Sequence, residues 1–232
     1  MIQVETSHST AELTSKAAAG VAEIIEQTLL SAPRATVALT GGTLGIQILA
    51  DLRAQNVDFT RVDFFFGDER FVALDHPDRN EMQGIEIWPE LQELNLHRYP
   101  ANGMPLDSAA DLFDREVSNF FGSISQANSS FDVTILGMGP DGHVASLFPG
   151  RTYEKRWIVA EHNSPKPPNQ RLSFSFEALN LSRHVFFLAA SEAKLAAVQC
   201  ALTNENCDLP AARVKGLEVT RWYVDEEISR GL

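Results

Sequence analysis

Basic residues are scarce beside acidic ones. Nineteen Lys and Arg stand against 31 Asp and Glu, a net charge of −12. A sequence-independent grip on nucleic acid or anionic lipid needs a basic face, so the balance argues against both as partners. Only two cysteines occur, Cys200 and Cys207. Two cysteines make no disulfide framework and show no CxxC metal spacing, so buried or idle thiols are expected. No apolar run approaches the roughly 20 residues that a membrane helix needs. The opening MIQVETSHSTAE lacks the basic-then-apolar pattern of a secretion signal. These absences together point to a cytoplasmic protein. Internal repeats and low-complexity segments are also missing.

What is present is ordinary for a globular chain: 232 residues, 44% apolar and 22% charged. That length supports a substantial core, and we read residues 1–232 as one domain, monomeric or homodimeric. Ser9-x-x-Glu12 is a capping-box pattern, and Leu13, Ala17, Val21, Ile24, Ile25 and Leu29 follow it on one helical face. Short apolar or alternating runs predict strands at 36–40, 62–66, 132–136, 157–160, 172–176, 185–190 and 221–224. Helices are expected from Leu44, around Met82, from Ser108 and over 192–202. The Ser108 helix carries Leu112, Val117, Phe120 and Phe121 on its apolar side. A further short helix is expected to open at His143 and to stop at Pro149-Gly150. Strands that alternate with helices predict an α/β fold: a three-layer αβα sandwich, Rossmann-like, with a mainly parallel sheet covered on both faces. Such sheets bind ligands beyond the carboxyl ends of their strands.

Four strand ends carry candidate chemistry. Gly41-Gly42-Thr43 lies between a strand and a helix, where backbone N–H groups and a hydroxyl can hold a phosphate. No Gly-Lys-Ser/Thr follows, so it is not a P-loop, and an ordinary tight turn fits it too. Gly67-Asp68-Glu69-Arg70 switches abruptly from three phenylalanines to charge. Arg70 can grip phosphate or carboxylate bidentately, and Asp68 can hold substrate hydroxyls. A solvated loop or an internal Asp–Arg pair is the plainer alternative. Asp141 and His143 sit in a glycine turn after the 132–136 strand, which suits a general base. Arg171 precedes one buried strand and Lys194 follows another, and with Arg70 they can offset the acidic field at one phosphate. His8, His97 and His184 read as structural, whereas His76 and His162 lie in loops that can approach a ligand.

Gly137-Met-Gly139-Pro-Asp-Gly142 also matches the dinucleotide pattern GxGxxG, with Glu161 near the ribose position. The crossover argues against that site. Pro149-Gly150 stops the following segment after about two turns, and a covering crossover takes at least ~10–12 residues of mostly helix.

LTGGTLGIQIL, FFFGDERFV with HPDRNEM, GMGPDGHVASLFPG, PPNQRLSFSFEALN and TRWYVDEE, in that order, resemble the 6-phosphogluconolactonase family related to glucosamine-6-phosphate deaminases. The likeness covers nearly the whole chain, and the third segment is its most specific part. Leu44-Gly45, Phe66 and Arg79 depart from that pattern, which has Thr-Pro, Trp and Ser there. The resemblance implies hydrolysis of 6-phospho-D-glucono-1,5-lactone without metal or organic cofactor. It implies His143 as general base, Asp141 as its partner, and Thr43, Arg171 and Lys194 on the sugar phosphate. The deaminase relatives instead carry Asp-Glu-Tyr at 68–70 and Phe-Asn-Glu-Pro at 146–149. A non-enzymatic sugar-phosphate sensor is the alternative from another class, and it does not need the Asp141–His143 pair.

Overall fold

The structure, a computed structural model, describes residues 1–125 and 130–232. The chain runs β1 (Ile2–Ser7), α1 (Thr10–Leu29), β2 (Ala35–Leu39), α2 (Gly42–Arg53), β3 (Val62–Phe66), β4 (Asp68–Arg70), α3 (Asn80–Ile87) and β5 (Asn95–Leu96). It continues with α4 (Leu106–Phe121), β6 (Val133–Gly137), β7 (Ile158–Glu161), β8 (Arg171–Phe174), α5 (Phe176–Asn180) and β9 (His184–Ala189). A 3₁₀ turn at Glu192–Lys194 leads into α6 (Leu195–Thr203), α7 (Pro210–Arg213), β10 (Val219–Asp225) and α8 (Glu226–Ser229).

Seven strands form one parallel sheet in the order β1-β10-β9-β6-β2-β3-β5. Every residue of β3 is buried, as a strand covered on both faces requires. α1 packs on α2, β9 and β10, while α4 packs on β7 and β8. The Ser9 hydroxyl accepts the Glu12 N–H at 3.1 Å, as the capping pattern predicts. From β2 the chain steps to β3 on one side, and from β6 it steps to β9 on the other. The β2–β6 boundary is therefore a topological switch point, where a crevice opens at the carboxyl edge.

The expected αβα sandwich is found, together with a second sheet that the sequence did not signal. β4, β8 and β7 pair antiparallel in the order β4-β8-β7. An aromatic seam fastens this small sheet to the large one. Phe174 of β8 lies 6.1 Å from Phe65 of β3 and 5.0 Å from Phe131, ring centre to ring centre, and all three are fully buried. His97 stacks on Phe65 at 4.2 Å, and its Nε2 lies 3.0 Å from Asp63, so it is part of the core.

Several expectations are corrected. β1 forms from a polar-looking N-terminus because its backbone pairs in parallel with β10 from Ile2 to Ser7, although Ile2 and Val4 stay exposed. Leu112 and Phe120 are exposed at 43% and 42%; α4 starts at Leu106 and, with the expected Val117, buries Ala109, Ala110 and Phe113. No helix follows His143. Gly142 and Ala145 take positive φ values of 81° and 48°, and Val144 bridges both Met138 and Leu147. Cys200 and Cys207 are not idle thiols but a disulfide, because a turn closed by the Cys207 N–H on the Asn204 carbonyl brings their Cα atoms to 5.6 Å. Among the described residues no helix is long and apolar enough to cross a membrane.

The seam positions everything carried by β8. Phe174→Ala is expected to cost roughly 3–5 kcal/mol in urea unfolding, as for other buried Phe truncations. A loss below about 1 kcal/mol would show that the two sheets hold together by other means.

Candidate active site

One pocket of about 320 Å³ opens at the switch point. The Thr40 hydroxyl, at the end of β2, accepts the Gly137 N–H at 3.2 Å and so ties the ends of β2 and β6 together. Gly41 then caps α2 without any side-chain hydrogen bond, and Gly42 enters the helix at φ 78°. The first turn of α2 thus presents uncapped N–H groups beside Thr43 on the pocket wall. A Cβ on Gly41 would fall 1.9 Å from Asn80 Oδ1, so glycine is needed for the start of α3 to come this close.

Asp68 anchors the next wall. Its carboxylate accepts the Ser146 hydroxyl at 2.5 Å and the Asn80 Nδ2 at 3.3 Å, and lies 3.9 Å from Arg171 Nη1. The Gly-Asp-Glu-Arg segment is thus a buried strand, and its two carboxylates face different tasks. Glu69 accepts the backbone N–H groups of Arg70, Asn80 and Glu81, which caps α3. Burial pushes the Glu69 carboxyl up to about 7, against the pull of Arg79 and those three N–H groups. Arg79 is fully buried and donates to Glu81 Oε1 at 3.0 Å and the Tyr99 carbonyl at 2.8 Å. Its departure from the family's Ser is accommodated inside the core, away from the pocket. Arg70 reaches the pocket while its Nη1 donates to the Asp78 carbonyl at 2.5 Å.

Cations complete the lining. Arg171 donates to the carbonyls of Pro168 and Lys166, both at 3.1 Å, and this clasp shapes the loop that places Lys166 in the pocket. Burial lowers the Arg171 guanidinium, opposed by Asp68 and reinforced by Arg70. Burial, then the neighbouring Lys166, likewise lowers the Lys194 ammonium, with Asp225 opposing. Arg70, Lys166, Arg171 and Lys194 share one partly dehydrated wall, and an anion placed among them relieves their mutual repulsion.

His143 lines the same pocket. Its Nδ1 lies 2.5 Å from Asp141 Oδ1, and the Phe148 ring lies 4.9 Å from the imidazole. A Cβ on Gly139 would come within 2.1 Å of the imidazole, so this glycine makes the room for the ring. Burial raises the Asp141 carboxyl, but the His143 hydrogen bond and charge outweigh it and hold the group below its ordinary value. A charged Asp141 accepts Nδ1–H, which leaves the Nε2 lone pair on the other edge of the ring. The backbone N–H groups of Gly139, Gly142, Val144, Ser146 and Leu147 are consumed within the loop or by Ser173, so this turn is no helix-type anion cradle.

The structure therefore brings Gly41, Gly42, Thr43, Asp68, Arg70, His143, Arg171 and Lys194 to one pocket, with Asp141 behind His143. His76 and His162 do not line it; they pair with Asp78 and Asp107. His8 and His184 pair with Glu226 and Glu218. Glu161 is buried against Arg151 and Tyr153, out of reach of any ribose. Among the lining residues outside the sequence-based site, Asn80 and Lys166 bring further polar groups to the pocket. Asn80 had no signal but the family likeness of its loop. Lys166 had one, since it sits five residues before Arg171 in the proline-rich loop. Among the described residues no three His, Cys, Asp or Glu side chains gather as a metal-ligand group.

A curated 6-phosphogluconolactonase of Mycobacterium leprae is 36% identical over 224 residues, covering 89% of each chain. One from Streptomyces coelicolor is 35% identical over 238 residues, covering 94% of this chain and 90% of its own. The crystal structure of the Thermotoga maritima 6-phosphogluconolactonase superposes with a TM-score of 0.85 at 28% identity, over 97% of this chain and all of the other. A monomeric glucosamine-6-phosphate deaminase shares the fold at a TM-score of 0.79 and 20% identity, over 99% of this chain and 100% of its own. The family pattern described as glucosamine-6-phosphate isomerases/6-phosphogluconolactonase matches residues 8–222, and to that family this chain belongs.

Proposed function

We propose that this chain hydrolyses 6-phospho-D-glucono-1,5-lactone to 6-phospho-D-gluconate, the lactonase step of the oxidative pentose phosphate pathway, in the cytoplasm and as one catalytic unit over residues 1–232. The observation that carries the reading is an Asp141-oriented His143 sharing one pocket with Arg70, Lys166, Arg171 and Lys194. At about 320 Å³ the pocket suits a single hexose phosphate. The curated relatives named above, similar over most of the chain, support the substrate.

In this mechanism the phosphate lies against the α2 N-terminus, Thr43 and the cations Lys166, Arg171 and Lys194. Arg70 and Asp68 hold the ring substituents. The lactone carbonyl then faces His143 Nε2. That nitrogen takes a proton from water as the water oxygen bonds to C1. The tetrahedral intermediate collapses by breaking the bond from C1 to the ring oxygen, and the imidazolium returns its proton there. Charged Asp141 stabilises the imidazolium between the two transfers. General base catalysis of this kind typically contributes about 10²–10⁴-fold, and fixed phosphate binding adds orientation.

The deaminase reading lacks a residue. Its relatives' Glu aligns with Phe148, whose ring packs on His143, so the carboxylate next to the imidazole is Asp141. Fold likeness cannot decide between the two chemistries, and this position supports the lactonase. Proton release from freshly made 6-phosphogluconolactone, corrected for spontaneous hydrolysis, is expected to accelerate with enzyme. Ammonia release from glucosamine 6-phosphate is expected to stay at background. The reverse result overturns the assignment.

Lys194→Ala is expected to raise KM for the phosphorylated lactone by at least about tenfold, as loss of a charge-assisted contact implies. KM for unphosphorylated gluconolactone is expected to change little. Equal effects on the two would remove Lys194 from the phosphate site.

A further inference from the structure

The Cys200–Cys207 disulfide lies in sequence between Lys194 and Leu209, the residue that packs on Gly142. Cys200 lies in α6, whose start follows directly on Lys194. Cys207 lies two residues before Leu209. Leu209 packs so tightly on Gly142 that a Cβ there would meet Leu209 Cδ1 at 2.8 Å, and the Ala211 N–H donates to the Gly142 carbonyl at 3.0 Å. Gly142 is the residue between Asp141 and His143. The bridge therefore links the element that bears Lys194 to the segment that buttresses the acid–base turn. Both cysteines are only half-buried, and residues 203–206 between them are exposed, so a reductant has access.

The geometry points to a redox-sensitive latch: the Cys200–Cys207 bridge holds Leu209 and Ala211 on Gly142, and its reduction by a dithiol loosens the Asp141–His143 turn. Leu209 and Ala211 act as positioning residues through Gly142. In a reducing compartment such a bridge is a switch rather than a permanent staple. A thiolate of the dithiol attacks one bridge sulfur, breaks the S–S bond and forms a mixed disulfide. The second thiolate displaces the protein sulfur. Two electrons pass to the bridge, two protons end on Cys200 and Cys207, and the reductant leaves as its own disulfide.

The kinetic consequence rests on the lactonase reading; the structural one does not. The purified full chain is oxidised with glutathione disulfide or reduced with dithiothreitol, and free thiols are counted by alkylation and mass. Amide exchange is followed at Gly142, Ala211 and, as a distant control, α4. Reduction is expected to speed exchange at Ala211 about tenfold without changing α4, and to lower kcat for the lactone at least about threefold, reversibly on reoxidation. The Cys200→Ser/Cys207→Ser variant is expected to match the reduced form and to ignore dithiothreitol. Failure of the bridge to form under the disulfide, or equal Ala211 exchange in both forms, overturns the latch. A latch-dependent change in exchange with no lactone hydrolysis in either form leaves the latch standing and overturns the lactonase reading instead.

Discussion

The buried carboxylate of Asp68 is the point on which the pocket hangs. It accepts the Ser146 hydroxyl at 2.5 Å and Asn80 at 3.3 Å, with Arg171 at 3.9 Å. Those partners come from the loop after His143, the start of α3 and the start of β8. A buried charge must be met by hydrogen bonds and opposite charge, and leaving it unpaired costs several kcal/mol. Satisfying Asp68 therefore forces three distant segments to one place. His143, the Asn80 corner and the Arg171 clasp arrive together as a result. The aromatic seam through Phe65, Phe131 and Phe174 supports this from beneath, because it presses β8 onto the large sheet.

A chain of net charge −12 that holds an anion has to build a local positive field. It does so by gathering four cations at the switch point of the parallel sheet, where the α2 N-terminus already points. Burial lowers the basicity of Arg171 and Lys194, and a neighbouring cation, Arg70 for the first and Lys166 for the second, adds to it. The same pocket holds the His143 imidazole, with one nitrogen committed to Asp141.

Much of this was legible in the sequence, for physical reasons. Buried parallel strands are short apolar runs, so β2, β3, β6 and β9 stand out, and their carboxyl ends carry Gly41, Asp68 and Asp141–His143. The charged triplet at 68–70 showed no strand signal because a strand can bury carboxylates when backbone N–H groups and side chains satisfy them. β1 was hidden because backbone pairing with β10 holds this edge strand while its apolar residues Ile2 and Val4 stay exposed. The helix expected after His143 failed at Gly142 and Ala145, whose left-handed backbone is not written in an apolar pattern. The Cys200–Cys207 bridge depends on a turn at Asn204 that two isolated cysteines do not announce. Lys166 needed the Arg171 clasp to be seen.

The central claim is that His143, oriented by Asp141, is the base that activates water. The most direct measurement compares lactone hydrolysis and 6-phosphogluconate affinity in His143→Asn and the unaltered chain. The account predicts a kcat lower by at least about 10²-fold with the product affinity within about threefold of the original. Turnover unchanged by the substitution, with the pocket still binding product, would contradict it.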